Sequence, residues 1–414
     1  MLRAEILSVG TELLMGQIAN TNAQYISKRL PEVGVGVYYH SVVGDNPARL
    51  TDSLQLALSR ADVVLTTGGL GPTQDDLTKE TISNALHLEM KLHQDSADAI
   101  AHYFHRSGRE MAESNLRQAY FPENSLIMDN DEGTAPGCII RLQHDCGEKI
   151  IILLPGPPKE LIPMFNRHVL PFFAKMQDAP LYSRFLRIIG VGESMVEQKL
   201  MCLVDGQTNP TLATYAKDGV VTIRVTAHEE GNIPAELLVS DTCSKICDIL
   251  GNSVYASEDE DIEVTVHRLL KERGLTFACA ESCTGGMLAT RMTAIPGASD
   301  VFVCGLVTYQ ESSKVVLSGV RDETLQQFGA VSYETALEMV LGCKQISKAD
   351  VAVSITGYAG PACGDEPVGR VYIGVSAPGV QTVREFSFSG NRDRIRNLSV
   401  IHALDLVRKA ILHL

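Results

Sequence analysis

Val63-Val64-Leu65-Thr66-Thr67-Gly68-Gly69-Leu70-Gly71-Pro72-Thr73-Gln74-Asp75-Asp76 reads as a short strand that runs directly into a glycine-rich loop ending in two acids. Val63 to Thr66 show no polar alternation, which describes a strand covered on both faces. Upstream, Glu5-Ile6-Leu7-Ser8-Val9 ends in the same way at Gly10, and Val35 to Val43 forms another such segment. Helical segments separate them: Asn22 to Leu30, and a second to Arg60 in which Pro47 suits the first turn. Downstream, Lys149 to Leu154 runs into the rigid turn Pro155-Gly156-Pro157-Pro158. Alternation of this kind predicts an α/β fold, a parallel sheet with helices on both faces.

In such a sheet, ligands bind beyond the carboxyl ends of the strands. Three loops lie there: Gly10-Thr11-Glu12-Leu13-Leu14, Val43-Gly44-Asp45-Asn46 and Thr67 to Asp76. Glycines let backbone N–H groups approach and cradle a phosphate, and Asp75 with Asp76 suits a hard divalent cation. A plainer use is open for the acids: Asp76 as cap of a helix over Leu77 to Leu86, and Glu12 as cap of the segment after it.

Residues from about 180 to 252 read as strand, helix, two strands and helix, a small α+β module. Its strands Thr211 to Tyr215 and Val220 to Ala227 are joined by the turn signal Lys217-Asp218-Gly219, and its last helix runs from Ala235 to Leu250. The acidic run Ser257-Glu258-Asp259-Glu260-Asp261 then reads as a helix start, with Ser257 and Glu260 as a capping box. With that start and a complete set of candidate residues beyond it, the segment from 256 to 414 is expected to fold alone. The domains are therefore drawn at 1–175, 176–255 and 256–414.

The last segment carries the sharpest chemistry. Ala280-Glu281-Ser282-Cys283-Thr284-Gly285-Gly286 sets a hydroxyl between a strand and a helix start, where backbone N–H groups from Thr284, Gly285 and Gly286 point toward it. Ser282 or Thr284 as a simple helix cap is the competing reading. A serine nucleophile needs a base, yet His267 falls mid-helix and His402 lies in the last helix. Lysine is the other solution. Thr308-Tyr309-Gln310-Glu311-Ser312-Ser313-Lys314 follows an apolar strand, so Lys314 is the candidate base, with an ordinary surface lysine as the competing reading, and Tyr309 a helper placed to pass or position the proton. A third strand ends at Thr356-Gly357-Tyr358-Ala359-Gly360-Pro361, where Thr356 suits a substrate contact and Gly357 an oxyanion or phosphate nest. Arg392 and Arg396, four apart at the start of the final helix, suit a phosphate.

The bulk numbers exclude several classes. A chain of 414 residues with 45% apolar and 21% charged residues has material for roughly two to three globular domains. No apolar run reaches the roughly 18 residues of a membrane helix, and no secretory leader precedes Ile6, so a cytoplasmic location is expected. A net charge of −14 disfavours nucleic acid. The ten cysteines include no CxxC pair and read as reduced core residues, Cys243 and Cys247 on one helix face among them.

Taken together, GTELL, GQI, NTNA, VVGDN, TTGGLGPTQDDLT, GTAPG and LLPGPP in the first part resemble the CinA family closely, as do ESCTGG, Y-x4-K, GAVS, TGxAGP and PVG in the last. The resemblance implies a three-layer, MogA-like first domain acting as a metal-dependent pyrophosphatase on ADP-ribose. Glu12, Asp45, Asp75 and Asp76 are its metal or water-activating candidates, with Mg, Mn or Co as the expected ion. Thr67, Gly68, Gly69, Gly71 and Thr73 are its phosphate-cradle candidates. For the C-terminal α/β domain the resemblance implies a cofactor-free amidase of the serine/lysine type. It would convert nicotinamide mononucleotide to nicotinate mononucleotide, with Ser282 as nucleophile, Lys314 as base, Tyr309 as helper, Thr356 on substrate and Arg392 or Arg396 on phosphate. The expected partners are these small nucleotides and a second copy of the chain in a homodimer, with neither nucleic acid nor membrane. Three motif departures stand out: Gln310-Glu311 within the Y-x4-K segment, Ala362 to Glu366 in the glycine loop, and Asn391 after Gly390. They leave two competing readings: a pyrophosphatase with a scaffold-like third domain, and a non-catalytic module binding a nucleotide or pterin. Ammonia release separates the first reading from these, and metal-dependent release of AMP separates the two.

Overall fold

The computed structural model describes residues 2–108, 110–144, 147–176, 181–361 and 367–413. The chain packs as two compact units that divide between Leu181 and Tyr182.

The first unit is built on a six-stranded sheet in the order Val35–Val43, Leu2–Val9, Val63–Thr67, Gly147–Leu154, Gly137–His144, Leu126–Met128. The first four run parallel, and the last two are antiparallel additions at one edge. The sheet is thus mixed, where strand–helix alternation alone predicts a purely parallel one. The cause is local: only two residues separate Gly137–His144 from Gly147–Leu154, and so short a link cannot make a parallel crossover. Alternate residues of each strand feed opposite faces. Ala4, Ile6, Val63 and Leu65 pack with Ile26, Leu161 and Phe165 on one side. Leu7, Val9 and Val64 pack with Leu50, Leu54 and Ile82 on the other. Two buried layers with one sheet between them make the three-layer α/β architecture. The parallel strands end in step, since Val9 pairs with Val43, Ser8 with Thr67 and Thr67 with Leu154. All four following loops therefore emerge at one edge.

Two expected helix caps are not formed. The helix after the glycine loop is Thr78–Ala85, and Asp76 instead accepts from the backbone N–H and hydroxyl of Thr73, at 2.9 and 2.6 Å. Glu12 lies in the first turn of the short helix Thr11–Leu14, whose entry at Gly10 has no side-chain cap. Pro47 does open its helix, Pro47–Arg60, and the Asn46 side chain caps it by accepting from Arg49 N–H at 3.1 Å.

The second unit holds two sheets. An antiparallel four-stranded sheet runs Thr211–Lys217, Val220–Ala227, Tyr182–Ile189, Val254–Ala256, under the helices Glu193–Val204 and Ala235–Leu250. Asp218 and Gly219, both at positive φ, make its tight hairpin turn, the conformation that matches strand twist. The acidic run does not form the capping box. The next helix is Ile262–Glu272, its cap position at Asp261 makes no side-chain cap bond, and Arg187 pairs with Asp259 at 3.3 Å and Asp261 at 2.8 Å. Attraction to a half-buried guanidinium outcompetes local capping.

The second sheet of this unit runs Phe302–Val307, Phe277–Glu281, Val351–Gly357, Arg370–Ala377, Val380–Ser387. Its first three strands are parallel and the other two antiparallel. Ile262–Glu272 and Arg392–Leu412 cover one face, and Tyr333–Ser347 packs on the other. Phe277–Glu281 sits between two parallel neighbours, so the loop that follows it opens at the sheet's carboxyl end, beside those after Val307 and Gly357.

Candidate active site

At that edge Ser282 and Lys314 meet. Lys314 lies in the helix Glu311–Ser318, is 1% exposed, and its Nζ is 2.9 Å from the Ser282 Oγ. It also donates to the carbonyl oxygens of Thr308 at 2.8 Å and Tyr309 at 3.5 Å. Burial pushes the ammonium below its ordinary value of 10.5, while Cys283 and Glu311 act in the opposite sense. The contact set suits either protonation state. A neutral amine still has two N–H bonds for the two carbonyls and turns its lone pair toward the serine hydroxyl.

Glu281 holds the nucleophile's loop in shape. Its buried carboxylate accepts the N–H groups of Gly286, Leu288 and Ala289 at 3.1, 3.0 and 2.9 Å. It thereby caps the helix Met287–Thr293, the task that the serine and threonine reading assigns to Ser282 or Thr284. The sequence signal is there to be used: Glu281 is the one charged residue in the otherwise apolar strand Phe277–Glu281.

Ser282, Cys283, Lys314 and Arg392 line a cavity of about 270 Å³, with Tyr309, Ala330, Val331, Gly357 to Pro361 and Val368 completing it. The remaining expected contacts are redistributed. The Tyr309 hydroxyl accepts from Arg392 Nη2 at 2.9 Å, so its partner is the arginine, while its main-chain oxygen faces the lysine. Thr356 is fully buried, and its hydroxyl donates to the Ala330 carbonyl at 2.7 Å. It supports the Ala330–Val331 wall from behind. Arg392 spans the mouth, donating to the Gly360 carbonyl on one side and to Tyr309 on the other. Arg396 turns away and donates to the Thr284 carbonyl at 2.9 Å, which braces the nucleophile's loop. The Thr284 hydroxyl is buried without a hydrogen-bond partner, Gly285 N–H is taken by the Ser282 carbonyl and Gly286 N–H by Glu281. Cys283 does not compete with its neighbour, because burial pushes its thiol up to about 11 and keeps it protonated at neutral pH. His267 contacts the Gly297 carbonyl and His402 packs on Phe386 and Phe388, each engaged in the fold. Ala362 to Glu366, one of the motif departures, lies outside the described residues.

In the first unit, the loops beyond the parallel strands enclose a larger cavity of about 650 Å³. Glu12, Asp45, Asp75, Asp76, Thr67, Gly68, Gly69 and Gly71 all line it, as do Asn22, Gln118 and Glu160, which sequence reasoning does not single out. Thr73 is spent on Asp76. The loop's glycines answer to packing: a Cβ on Gly68, at φ 98°, would lie 2.2 Å from the Val9 carbonyl, and one on Gly71 would strike the Asp76 carboxylate at 2.4 Å. The four candidate metal ligands share the cavity without forming a cage. Among the described residues no three His, Cys, Asp or Glu side chains group closely enough to hold an ion. Asp45 commits one oxygen to Thr11, and Asp76 one to Thr73.

No described helix is long and apolar enough to cross a membrane. Comparison with known families and proteins agrees with this anatomy. The family described as "Probable molybdopterin binding domain" matches residues 5–175, the "Damage-inducible protein CinA KH domain" matches 183–256, and the "CinA C-terminal domain" matches 259–411. A relative from Acetivibrio thermocellus, named as competence-damage inducible, is 48% identical over the full length of both chains. A CinA-like protein from Kosmotoga olearia is 46% identical, again over 100% of each. A solved CinA superfamily protein from Klebsiella pneumoniae is 32% identical, with a TM-score of 0.36 over 37% of this chain and 97% of that one. On its end-to-end identity with these relatives, the chain belongs to the CinA family.

Proposed function

We propose that the C-terminal site is a serine/lysine amidohydrolase that deamidates nicotinamide mononucleotide. The observation that carries the reading is the 2.9 Å contact between the buried Lys314 Nζ and the Ser282 Oγ. Neutral Lys314 takes the serine proton as Oγ bonds to the carboxamide carbon. The resulting oxyanion is met by N–H groups of the loop after Ser282, where Cys283 and Thr284 remain as donors once Gly285 and Gly286 are engaged. Lys314 returns the proton to the nitrogen, ammonia leaves, and water then enters on the same base to release nicotinate mononucleotide. Arg392 at the mouth suits the nucleotide's phosphate once it exchanges Tyr309 for it. The test is ammonia release from nicotinamide mononucleotide by the purified full-length chain. The wild type should release it and Ser282→Ala should not; an inactive wild type would leave the domain as a scaffold.

A second reading concerns the first unit, favoured by its cavity of glycine loops and acids. There the chain would hydrolyse ADP-ribose between its phosphates, with a divalent ion in attendance. The acids form no cage of their own, so a metal would depend on one or two carboxylates together with the substrate's phosphate oxygens. Release of AMP from ADP-ribose with added Mg, Mn or Co, and its loss with chelator or in the double variant D75N/D76N, tests it. Full activity under chelation would end the metal requirement.

A further inference from the structure

The first unit's cavity carries polar groups that the pyrophosphatase reading leaves unused. Gln118 lines it while 1% exposed, and its side-chain oxygen has no hydrogen-bond partner. Its backbone is pinned from behind, because the buried Lys79 donates to the Gln118 carbonyl at 2.7 Å and lies 4.4 Å over the Phe121 ring. Asn22 lines the same cavity. Its Nδ2 donates to the Gly156 carbonyl at 2.6 Å, which sets the amide's orientation and leaves Oδ1 buried without a donor. A buried acceptor with no partner is destabilising, and this cavity has two. Its ionisable lining is one-sided as well: the acids are joined by Glu160, and among the described residues no lysine, arginine or histidine lines it.

We infer that Gln118 and Asn22 are specificity-determining residues that accept hydrogen bonds from the donor groups of a nucleoside. The inference rests on reading this cavity as a nucleotide site. Its charged side chains are all acceptors, so phosphate oxygens are left to the glycine loop's N–H groups, and the unpartnered amide oxygens select the end of the ligand that bears donors. Two parts of an adenine nucleoside supply them: the ribose hydroxyls and the exocyclic amine.

Calorimetric binding of ADP-ribose to the full-length chain, with chelator in place of a metal so that the ligand is not hydrolysed, tests this. Q118M and N22L keep approximate size and remove the acceptor. Each should weaken binding by roughly tenfold or more. The melting temperature of the ligand-free protein should hold or rise in Q118M, since an unsatisfied polar group has been removed, whereas N22L also loses the Gly156 bond and is read on affinity alone. A purely structural role predicts the reverse pattern, lower melting with unchanged affinity, and that result would overturn the inference. So would a wild type that binds the inosine counterpart and the deoxyribose counterpart as tightly as ADP-ribose itself. Loss with the inosine form identifies the amine as the donor, and loss with the deoxyribose form identifies a hydroxyl. If the wild type binds no ADP-ribose, the nucleotide reading itself falls and takes the inference with it.

Discussion

A lysine works as a base only when its ammonium is made unstable, and Lys314 is placed where that happens without a neighbouring cation. Desolvation alone lowers its proton affinity, and the serine hydroxyl waits at 2.9 Å. Activity should therefore rise with pH through one ionisation lying below 10.5, the ordinary lysine value. Ser282→Ala and Lys314→Ala should each lower kcat by at least about a thousandfold, with the double variant scarcely worse, since the pair acts in one step. Lys314→Arg should fail as well, because a guanidinium stays charged, and Arg392→Ala should mainly raise KM. Additive losses in the double variant would mean that the two act separately. Lys79 makes a second test, on stability. Burial drops it to about 8 in the folded chain, against 10.5 when exposed. Between those values the unfolded chain binds the extra proton, so stability should rise from pH 8 to 10.5, and that rise should vanish in Lys79→Met. Denaturant titrations of both proteins across this window measure it. Ser282 and Lys314 are legible in sequence because strand ends and loop order put them at one edge. The aim of Tyr309, Thr356 and Arg396 is not, because whether a side chain faces the cavity or the wall behind it depends on neighbours distant in sequence.

At the scale of the element, the loop after Phe277–Glu281 is held by the strand's own last residue. Three N–H groups converge on the Glu281 carboxylate, two on one oxygen and one on the other. Glu281→Gln leaves one acceptor oxygen and turns an NH2 toward a donor. It should cost about 1–3 kcal/mol of stability and lower kcat more than KM is raised, by misplacing Ser282; an unchanged kcat would show that the loop holds its shape unaided. The same competition between local and tertiary partners explains where sequence reading stops. Ser257 and Glu260 have the spacing of a capping box, yet Arg187 draws on the acids beside them and the helix begins at Ile262. The antiparallel pairing of Gly137–His144 with Gly147–Leu154 follows from their two-residue separation only once both segments are known to be strands of one sheet. Strands whose apolar runs end at glycine, such as Val63–Thr67, leave no such ambiguity.

For the whole molecule, the sequence expectation is a third domain that folds from residue 256, but the packing of the second unit runs past that point. Ile189, Val220 and Tyr255 belong to the same buried cluster as Ile262, Val266 and Leu404. Arg408 of the final helix, 3% exposed, donates to the carbonyls of Asn252 at 2.6 Å and Val254 at 3.4 Å while pairing with Asp405 at 2.8 Å. Arg187 of the middle sheet bonds Tyr255 of the same sheet at 3.1 Å and pairs with the acids that follow it. Removing residues 182–255 uncovers apolar surface and leaves a buried guanidinium short of two acceptors, and both changes are destabilising. A fragment spanning 182–414 should therefore unfold in one cooperative transition, and a fragment from 256 should unfold at lower denaturant. In the longer fragment, Arg408→Ala should cost on the order of 3 kcal/mol, the scale for breaking a buried pair, with Lys409 still holding Asp405 at 2.7 Å. Two separate transitions in the longer fragment would show that its two sheets fold independently and that the Arg408 bonds add little.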